Sequence, residues 1–310
     1  MTSETAFVVE SPGLLTTIQD LGRQRHRFAG VPPGGALDPF AAAAANLLVG
    51  NDPNAGVLEC TVRGPVLLAT IRATVAVAGG AFAPLINERE LPLWTAATVE
   101  EGDRLDLAQR RGGRCWLAVG GGFAGTRWLG SLSTSLLVQH GGLDGRALRE
   151  GDQLALAGTP PATEPGRSLP RALRPSDGPE LATVRGPQFP RLAAESRKAL
   201  FREMFNVKHS SDRMGFRLSA AAPLEIGTAE LLSFGVAPGC IQVPPSGDPI
   251  LLMADHQTAG GYPVVAGVGR AWLPAAAQLL PGAEVRFREV SLVAAQEEWR
   301  RLRRSLETLR

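Results

Sequence analysis

Thirty-six glycines and twenty-four prolines are scattered through this 310-residue chain, and they leave little uninterrupted sequence from which to build long elements. Glycine opens left-handed backbone conformations and proline withdraws a hydrogen-bond donor, so both punctuate. Between them lie short apolar runs such as Val66 to Ala69, Val75 to Ala78 and Trp116 to Val119. This is the rhythm of many short strands. Three segments share one pattern: Glu-Gly-Asp-Arg-Leu-Asp-Leu at 101–107, Glu-Gly-Asp-Gln-Leu-Ala-Leu at 150–156 and Pro-Gly-Ala-Glu-Val-Arg-Phe at 281–287. Each predicts a turn opening a strand whose alternate residues are apolar. Val62-Arg-Gly-Pro65 is also echoed by Val184-Arg-Gly-Pro187. The repeats leave open an internal duplication into two related β-rich halves.

Between Gly158 and Pro179 prolines are dense and few residues suit burial, which predicts a linker over 161–179 between β-rich domains at 1–160 and 180–310. Three helices are legible. Asp38 caps the first, Pro39 fills its opening position, Phe40 to Leu48 continue it and Gly50 ends it. A second is expected from Pro190 to Phe205. The last starts near Leu292 and sets Ala295, Trp299, Leu302, Leu306 and Leu309 on one stripe, flanked by solvated arginines.

With 44% hydrophobic residues and 32 basic against 30 acidic side chains, the chain reads as globular, without the basic bias of a nucleic-acid binder. Cys60, Cys115 and Cys240 include no CxxC pair, and an odd number argues against a disulfide framework. Met1 to Glu10 lacks an apolar run with a cleavage site, and no stretch is apolar for long enough to span a bilayer. A cytoplasmic protein with no membrane association is expected.

Several chemistries lose their support. Gly120-Gly-Gly-Phe-Ala-Gly125 matches G-x-G-x-x-G, but the serine-rich segment that follows suits no long helix and no βαβ alternation surrounds it. Lys198 and Lys208, the only lysines, do not follow glycine, so there is no Walker A loop. No serine sits in a nucleophile elbow, and His26, His140, His209 and His256 are too dispersed to suggest a zinc site. No Met-Lys pair is present to carry covalent biotin.

Four groups of segments nevertheless share one likeness. The first is Leu15-Thr-Thr-Ile-Gln-Asp-Leu-Gly-Arg23 with Gly30-Val-Pro-Pro-Gly-Gly-Ala-Leu-Asp38 and Ala45-Asn-Leu-Leu-Val-Gly-Asn51. The second is Leu58-Glu59 with Gly64-Pro65. The third runs from Gly130-Ser-Leu-Ser-Thr134 to Gly145-Arg146 and Gly151-Asp152. The fourth joins Ser211-Asp-Arg-Met-Gly-Phe-Arg-Leu218, Ile241-Gln-Val-Pro-Pro245, Gly247-Asp-Pro-Ile250 and Met253-Ala-Asp-His-Gln-Thr258 through Gly260-Gly-Tyr-Pro263. Together they resemble the C component of bacterial ATP-dependent 5-oxoprolinase, the allophanate hydrolase subunit 2 family, which is related to the carboxyltransferase part of urea amidolyase.

That resemblance implies a mainly β fold with a few helices and a cyclophilin-like β-barrel architecture. It implies work beside a B-like companion of related fold and a third, A-like protein, with ATP used by the complex to open 5-oxoproline to glutamate. Two alternatives remain: a regulatory protein that sequesters the companion, and a urea or amide carboxyltransferase or allophanate hydrolase component. All the enzymatic versions act on an amide, whose nitrogen deactivates the carbonyl, so the site needs donors, acceptors and a cation around a small planar substrate.

The matching blocks supply them. Asp255, Asp212 and Gln257 are the candidate catalytic residues. Gln19, Asp20, Arg23, Arg213, Gln242, Asp248, His256, Thr258 and Tyr262 are candidate substrate contacts, the arginines for anions and the carboxamides for an amide. Asp20 and Arg23 have a structural alternative, an ion pair bracing Gly22. Two positions depart from the family pattern: Leu132 and His256 each stand where an arginine is common. Both changes remove a permanent cation, and histidine restores one only when protonated.

Overall fold

The short apolar runs form strands, and the glycine turns between them fold those strands back on one another. The computed structural model describes residues 4–80, 82–108, 112–227 and 231–310. The first three residues of the amino-terminal segment considered above lie outside that set. The chain divides into two units, one of Met1–Arg23, Gly34–Arg174 and Arg304–Arg310, the other of Gln24–Pro33 and Pro175–Arg303.

The strands of the first unit are β1 (Thr5–Ser11), β2 (Leu15–Gln19), β3 (Val57–Thr61), β4 (Val66–Ala69), β5 (Ala73–Gly79), β6 (Leu85–Ile86), β7 (Arg89–Glu90), β8 (Ala96–Val99), β9 (Arg104–Asp106), β10 (Arg114–Val119) and β11 (Gln153–Ala155). They make a six-stranded sheet in the order β11-β1-β4-β9-β6-β7 and a five-stranded sheet in the order β2-β3-β10-β5-β8. Alternation assigns the faces. Ile18, Leu58, Val77 and Leu117 turn to one side and join Phe7 and Leu67 of the other sheet in one buried cluster. On the opposite side of β3 and β10, the cross-strand partners Glu59 and Trp116 are also buried, and the Trp116 indole N–H donates to the Glu59 carboxylate at 3.0 Å.

Helix α1 (Pro39–Leu48) packs on β5 and β10. Its run of alanines lets the helix approach closely, and Ala41 to Ala45 are all buried. Asp38 caps it as expected, its Oδ1 accepting from the backbone N–H of Phe40 and Ala41 at 2.9 and 3.0 Å. Gly50, at φ 78°, turns the chain away after the last helical carbonyls. Glu59 reaches the same helix start and accepts from the Leu37 N–H at 2.7 Å. Burial pushes the Asp38 carboxyl up to about 7; the two helix N–H groups pull it back and the nearby Glu59 adds to the rise. A folded pKa above the unfolded one of 3.8 means stability that is complete below that value and lost as pH rises towards 7. Asp38→Asn is therefore expected to remove about 2–4 kcal/mol of pH dependence between acid and neutral conditions, read by urea unfolding across that range.

In the second unit the strands are β12 (Glu180–Arg185), β13 (Phe205–Val207), β14 (Gly215–Ser219), β15 (Phe234–Gly235), β16 (Cys240–Gln242), β17 (Ile250–Leu252), β18 (Ala259–Gly260), β19 (Val264–Val268) and β20 (Glu284–Glu289). A closed barrel runs β12-β19-β16-β17-β14-β13-β20 and is sealed by the parallel pairing of β20 with β12, while β15 and β18 form a separate ribbon. The expectation of a mainly β chain with a barrel and a few helices holds. The repeated turn signal holds locally as well: Gly102, Gly151 and Gly282 have φ of 86°, 82° and 84° and precede β9, β11 and β20.

Two expectations change. The helix expected from Pro190 to Phe205 shrinks to α2 (Ala194–Arg202), preceded by a 3-10 turn at Phe189–Arg191. Leu192 and Ala193 are extended, Leu192 bridges to Ile226, and buried Phe205 and Val207 belong to a strand. The segment expected as a linker packs on the first unit as far as Arg174. Leu169 is buried, Ser168 bridges to Thr95, and Arg167 donates to the Leu47 carbonyl at the end of α1. After α3 (Leu273–Ala276), α4 (Leu292–Glu307) buries Ala295 and Leu302 of the expected stripe.

Candidate functional site

Three of the expected site residues, Gln19, Asp20 and Arg23, belong to the first unit. β2 ends at Gln19, and the chain then meets the Ser131–Thr134 segment, whose Thr134 bonds the Ile18 carbonyl through both its amide and its hydroxyl. Asp20 is 1% exposed. Its carboxylate accepts from Ser131 Oγ and Ser133 Oγ at 2.6 Å each, from the Leu132 N–H at 2.7 Å and from the Gly22 N–H at 2.8 Å. Those four donors make it a pin that joins two loops rather than an exposed base. Arg23 donates to the Ser133 carbonyl and lies 4.6 Å over the Trp128 ring. Gln19 is fully buried; its Nε2 donates to Thr17 Oγ1 and the Thr134 carbonyl, and its Oε1 has no partner among the described residues. Leu132 packs into the apolar core of this unit, so its side chain lies among hydrocarbon beneath the serine loop.

The other nine expected residues fall in the second unit, where two turns meet. Asp212 Oδ1 accepts from the Met214 and Gly215 N–H groups at 2.8 and 3.3 Å, an Asx turn that presents Arg213. Arg213 Nε and Nη2 reach the two oxygens of Asp255 at 2.8 and 3.3 Å, and backbone bonds Asp255 N to Arg213 O and Met253 N to Met214 O lock the turns together. The side chains of the pair are 13% and 22% exposed, so it is accessible yet well held. Gln257 donates to Gln242 Oε1 at 3.1 Å, and Gln242, itself 1% exposed, donates to the Tyr262 carbonyl at 3.0 Å. This chain of carboxamides orients Gln257, whose Oε1 takes no hydrogen bond from the described residues. The Thr258 carbonyl accepts from the N–H of Val236, the residue after β15, at 3.2 Å, and Asp248 is in an ion pair with Lys208 at 2.6 Å.

His256 is buried with its Nδ1 on the Gln257 carbonyl. A carbonyl accepts only, so Nδ1 carries the proton and Nε2 is a bare acceptor, one without a partner among the described residues. Burial lowers its pKa, the Gln257 carbonyl raises it, the Arg27 guanidinium lowers it and Asp255 raises it. It is therefore neutral at physiological pH and supplies no cation. Arg27, from the 3-10 segment Gln24–Ala29, supplies a permanent one instead and is anchored on the Val236 carbonyl. Sequence reasoning passes over Arg27 because nothing in Gln-Arg-His-Arg distinguishes one arginine from the next. Glu59 does leave a signal, a lone carboxylate inside the apolar strand Val-Leu-Glu-Cys-Thr.

The two lysines are engaged with Glu195 at 2.8 Å and Asp248 at 2.6 Å. A groove of about 450 Å³ beside α2 gathers Arg185, Arg197 and Lys198, but Arg185 is paired with Glu289 and Arg197 spans the Leu192 and Pro190 carbonyls. No group of three or more metal-ligating side chains occurs among the described residues, and no helix among them is long and apolar enough to cross a membrane.

The two motif-bearing turns and the serine loop lie within a region, residues 29–289, that matches the family described as carboxyltransferase domain, subdomain A and B. The chain belongs to this carboxyltransferase-domain family. It is 35% identical over 286 residues to the C component of the Escherichia coli 5-oxoprolinase, covering 91% of each chain. It is 32% identical to the urea amidolyase of Lachancea kluyveri, covering 98% of this chain but 18% of that one. Its structure superposes on the Kluyveromyces lactis urea carboxylase with a TM-score of 0.91 at 26% identity, over all of this chain and 30% of that one. It thus spans nearly the whole bacterial relative and less than a third of these larger ones.

Within this carboxyltransferase-domain fold, several motif residues are structural. Asn46 donates to the Ala55 carbonyl, while Asn51 donates to Asn46 and Val119 and receives the Gly121 N–H. Gly260 is different. A Cβ there would come within 3.2 Å of the Nε2 atoms of both Gln242 and Gln257. Gly260→Ala is expected to push the carboxamides aside while costing roughly 1 kcal/mol or less of stability, because their ends are flexible. Near-normal urea unfolding combined with weakened substrate binding is the expected pair of results, and unchanged binding would show that the carboxamide pair does not matter.

Proposed function

We propose that this chain is one component of an ATP-dependent 5-oxoprolinase, opening the lactam of 5-oxoproline to glutamate beside a B-like companion of related fold and an A-like third protein. The observation that carries the reading is the likeness along 91% of both chains to the C component of the bacterial 5-oxoprolinase. The closed barrel of the second unit supports the cyclophilin-like architecture expected of such a component. A lactam carbonyl resists attack because its nitrogen donates into it, and ATP used by the complex supplies the activation. On this chain, Gln257 Oε1 accepts the substrate N–H, and Gln242 fixes its direction. Arg213 meets the substrate's anionic oxygen, while Asp255 holds the guanidinium and Asp212 shapes the turn beneath it. Thr258 and Tyr262 flank this wall. The test is to assemble the chain with its B-like and A-like partners, add ATP and 5-oxoproline, and assay glutamate. An assembly shown to be intact that yields no ATP-dependent glutamate overturns the reading.

A urea-type carboxyltransferase is the second reading, favoured by the superposition on urea carboxylase. It requires a biotin carrier on another chain. A biotin blot of the purified complex separates the two, since an absence of biotin excludes the carboxyltransferase.

A further inference from the structure

Cys60 and Cys115 stand 55 positions apart in sequence and directly opposite each other in the first unit. They are register partners on the antiparallel strands β3 and β10, both fully buried on the core face. Directly opposed residues of antiparallel strands have Cα atoms roughly 4.5–5.5 Å apart. A disulfide spans roughly 4.4–6.8 Å between Cα atoms. The strands need not separate or slide for the sulfurs to bond. The next rung carries Glu59 and Trp116 on the opposite face, and Glu59 holds the Leu37 N–H at the entrance to α1. A covalent rung at Cys60 and Cys115 would therefore stiffen the strand pair that anchors the loop running into that helix.

We infer that Cys60 and Cys115 are a redox pair that closes a reversible cross-strand disulfide. The oxidant is a peroxide. One cysteine gives up its thiol proton and its sulfur attacks a peroxide oxygen; the O–O bond breaks, leaving a sulfenic acid and releasing one water. The second sulfur displaces the sulfenic oxygen, forming the S–S bond, and that oxygen leaves as a second water with the remaining thiol proton. Two thiols are oxidised and one peroxide is reduced. Burial holds the Cys115 thiol well above its usual pKa, with the adjacent Cys60 adding to the rise, so thiolate is scarce and closure in the native protein is slow. Cys240, partly exposed and in the other unit, is an internal comparison.

The test uses the full chain carrying Cys240→Ser, treated with hydrogen peroxide, then denatured and alkylated. The expected product is lighter than the reduced protein by about 2 Da before alkylation, resists alkylation at both cysteines, yields one linked peptide containing Cys60 and Cys115, and returns to the starting mass with dithiothreitol. The linked form should melt several degrees above the reduced one, since the bridge closes a long loop in the unfolded chain. The Cys60→Ala variant should instead stop at sulfenic or sulfinic acid on Cys115 or remain unreacted. Two alkylatable thiols after treatment, or separate over-oxidation of each cysteine without a linked peptide, would overturn the inference.

Discussion

Replacing Asp20 by alanine is expected to cost roughly 3–5 kcal/mol of stability in urea unfolding, because two N–H groups and two hydroxyls that now converge on one buried carboxylate would be left to find other partners. The carboxylate is 1% exposed, and water cannot replace it without opening the loop. The contrasting substitution is Asp212→Ala. The Asp212 carboxylate accepts two backbone N–H groups of one exposed turn, so its loss should cost about 1 kcal/mol or less of stability. Equal effects at the two positions would show that the Asp20 network carries no special weight. The comparison also tests whether Asp20 acts in binding, as its motif alone suggests, or in holding the serine loop to the end of β2.

Arg213→Ala is expected to lower glutamate formation by the assembled complex by roughly a hundredfold or more, the scale seen when a positioned charged donor is removed from a site. Stability should fall as well, since the side chains of the pair are only 13% and 22% exposed and Asp255 would lose its partner, so turnover is read on an assembly shown to be intact. Asp255→Ala should lose nearly as much activity, and the double variant should be scarcely worse than either single one, because the carboxylate acts through the guanidinium it holds. Additive losses would assign Asp255 a separate role such as general base. Tight companion binding that neither substitution disturbs, with no turnover of any lactam or urea derivative, would favour the regulatory alternative.

Much of the candidate site is legible in the sequence as a set of residues and much less as a set of roles. Asp255, Arg213, Gln242 and Gln257 all stand in the motif blocks, and they do come together in the second unit. Their division of labour is not legible, because a carboxamide in a motif reads the same whether it faces a ligand or, like Gln242, stands 1% exposed behind another carboxamide. The departures at Leu132 and His256 are visible in the sequence, but their consequences depend on surroundings. Leu132 enters a hydrocarbon core, and His256 is held neutral by burial while Arg27 supplies the nearby charge.

The sequence by itself determined the strand rhythm, the three glycine turns, the capped helix after Asp38 and the family, since each rests on local conformational preference or on residues read in order. It did not determine the bounds of the second helix, which begins at Ala194 and ends at Arg202 rather than running from Pro190 to Phe205. Only the tertiary structure decided which residues oppose one another across strands. Register is set by which faces are buried and by how loops close, so the meeting of Cys60 with Cys115, of Glu59 with Trp116, and of Asp20 with two serines more than a hundred positions away shows in no linear spacing. The extent of the linker follows the same logic: composition marks where prolines gather, while burial of Leu169 and the contacts of Arg167 decide how far the first unit extends.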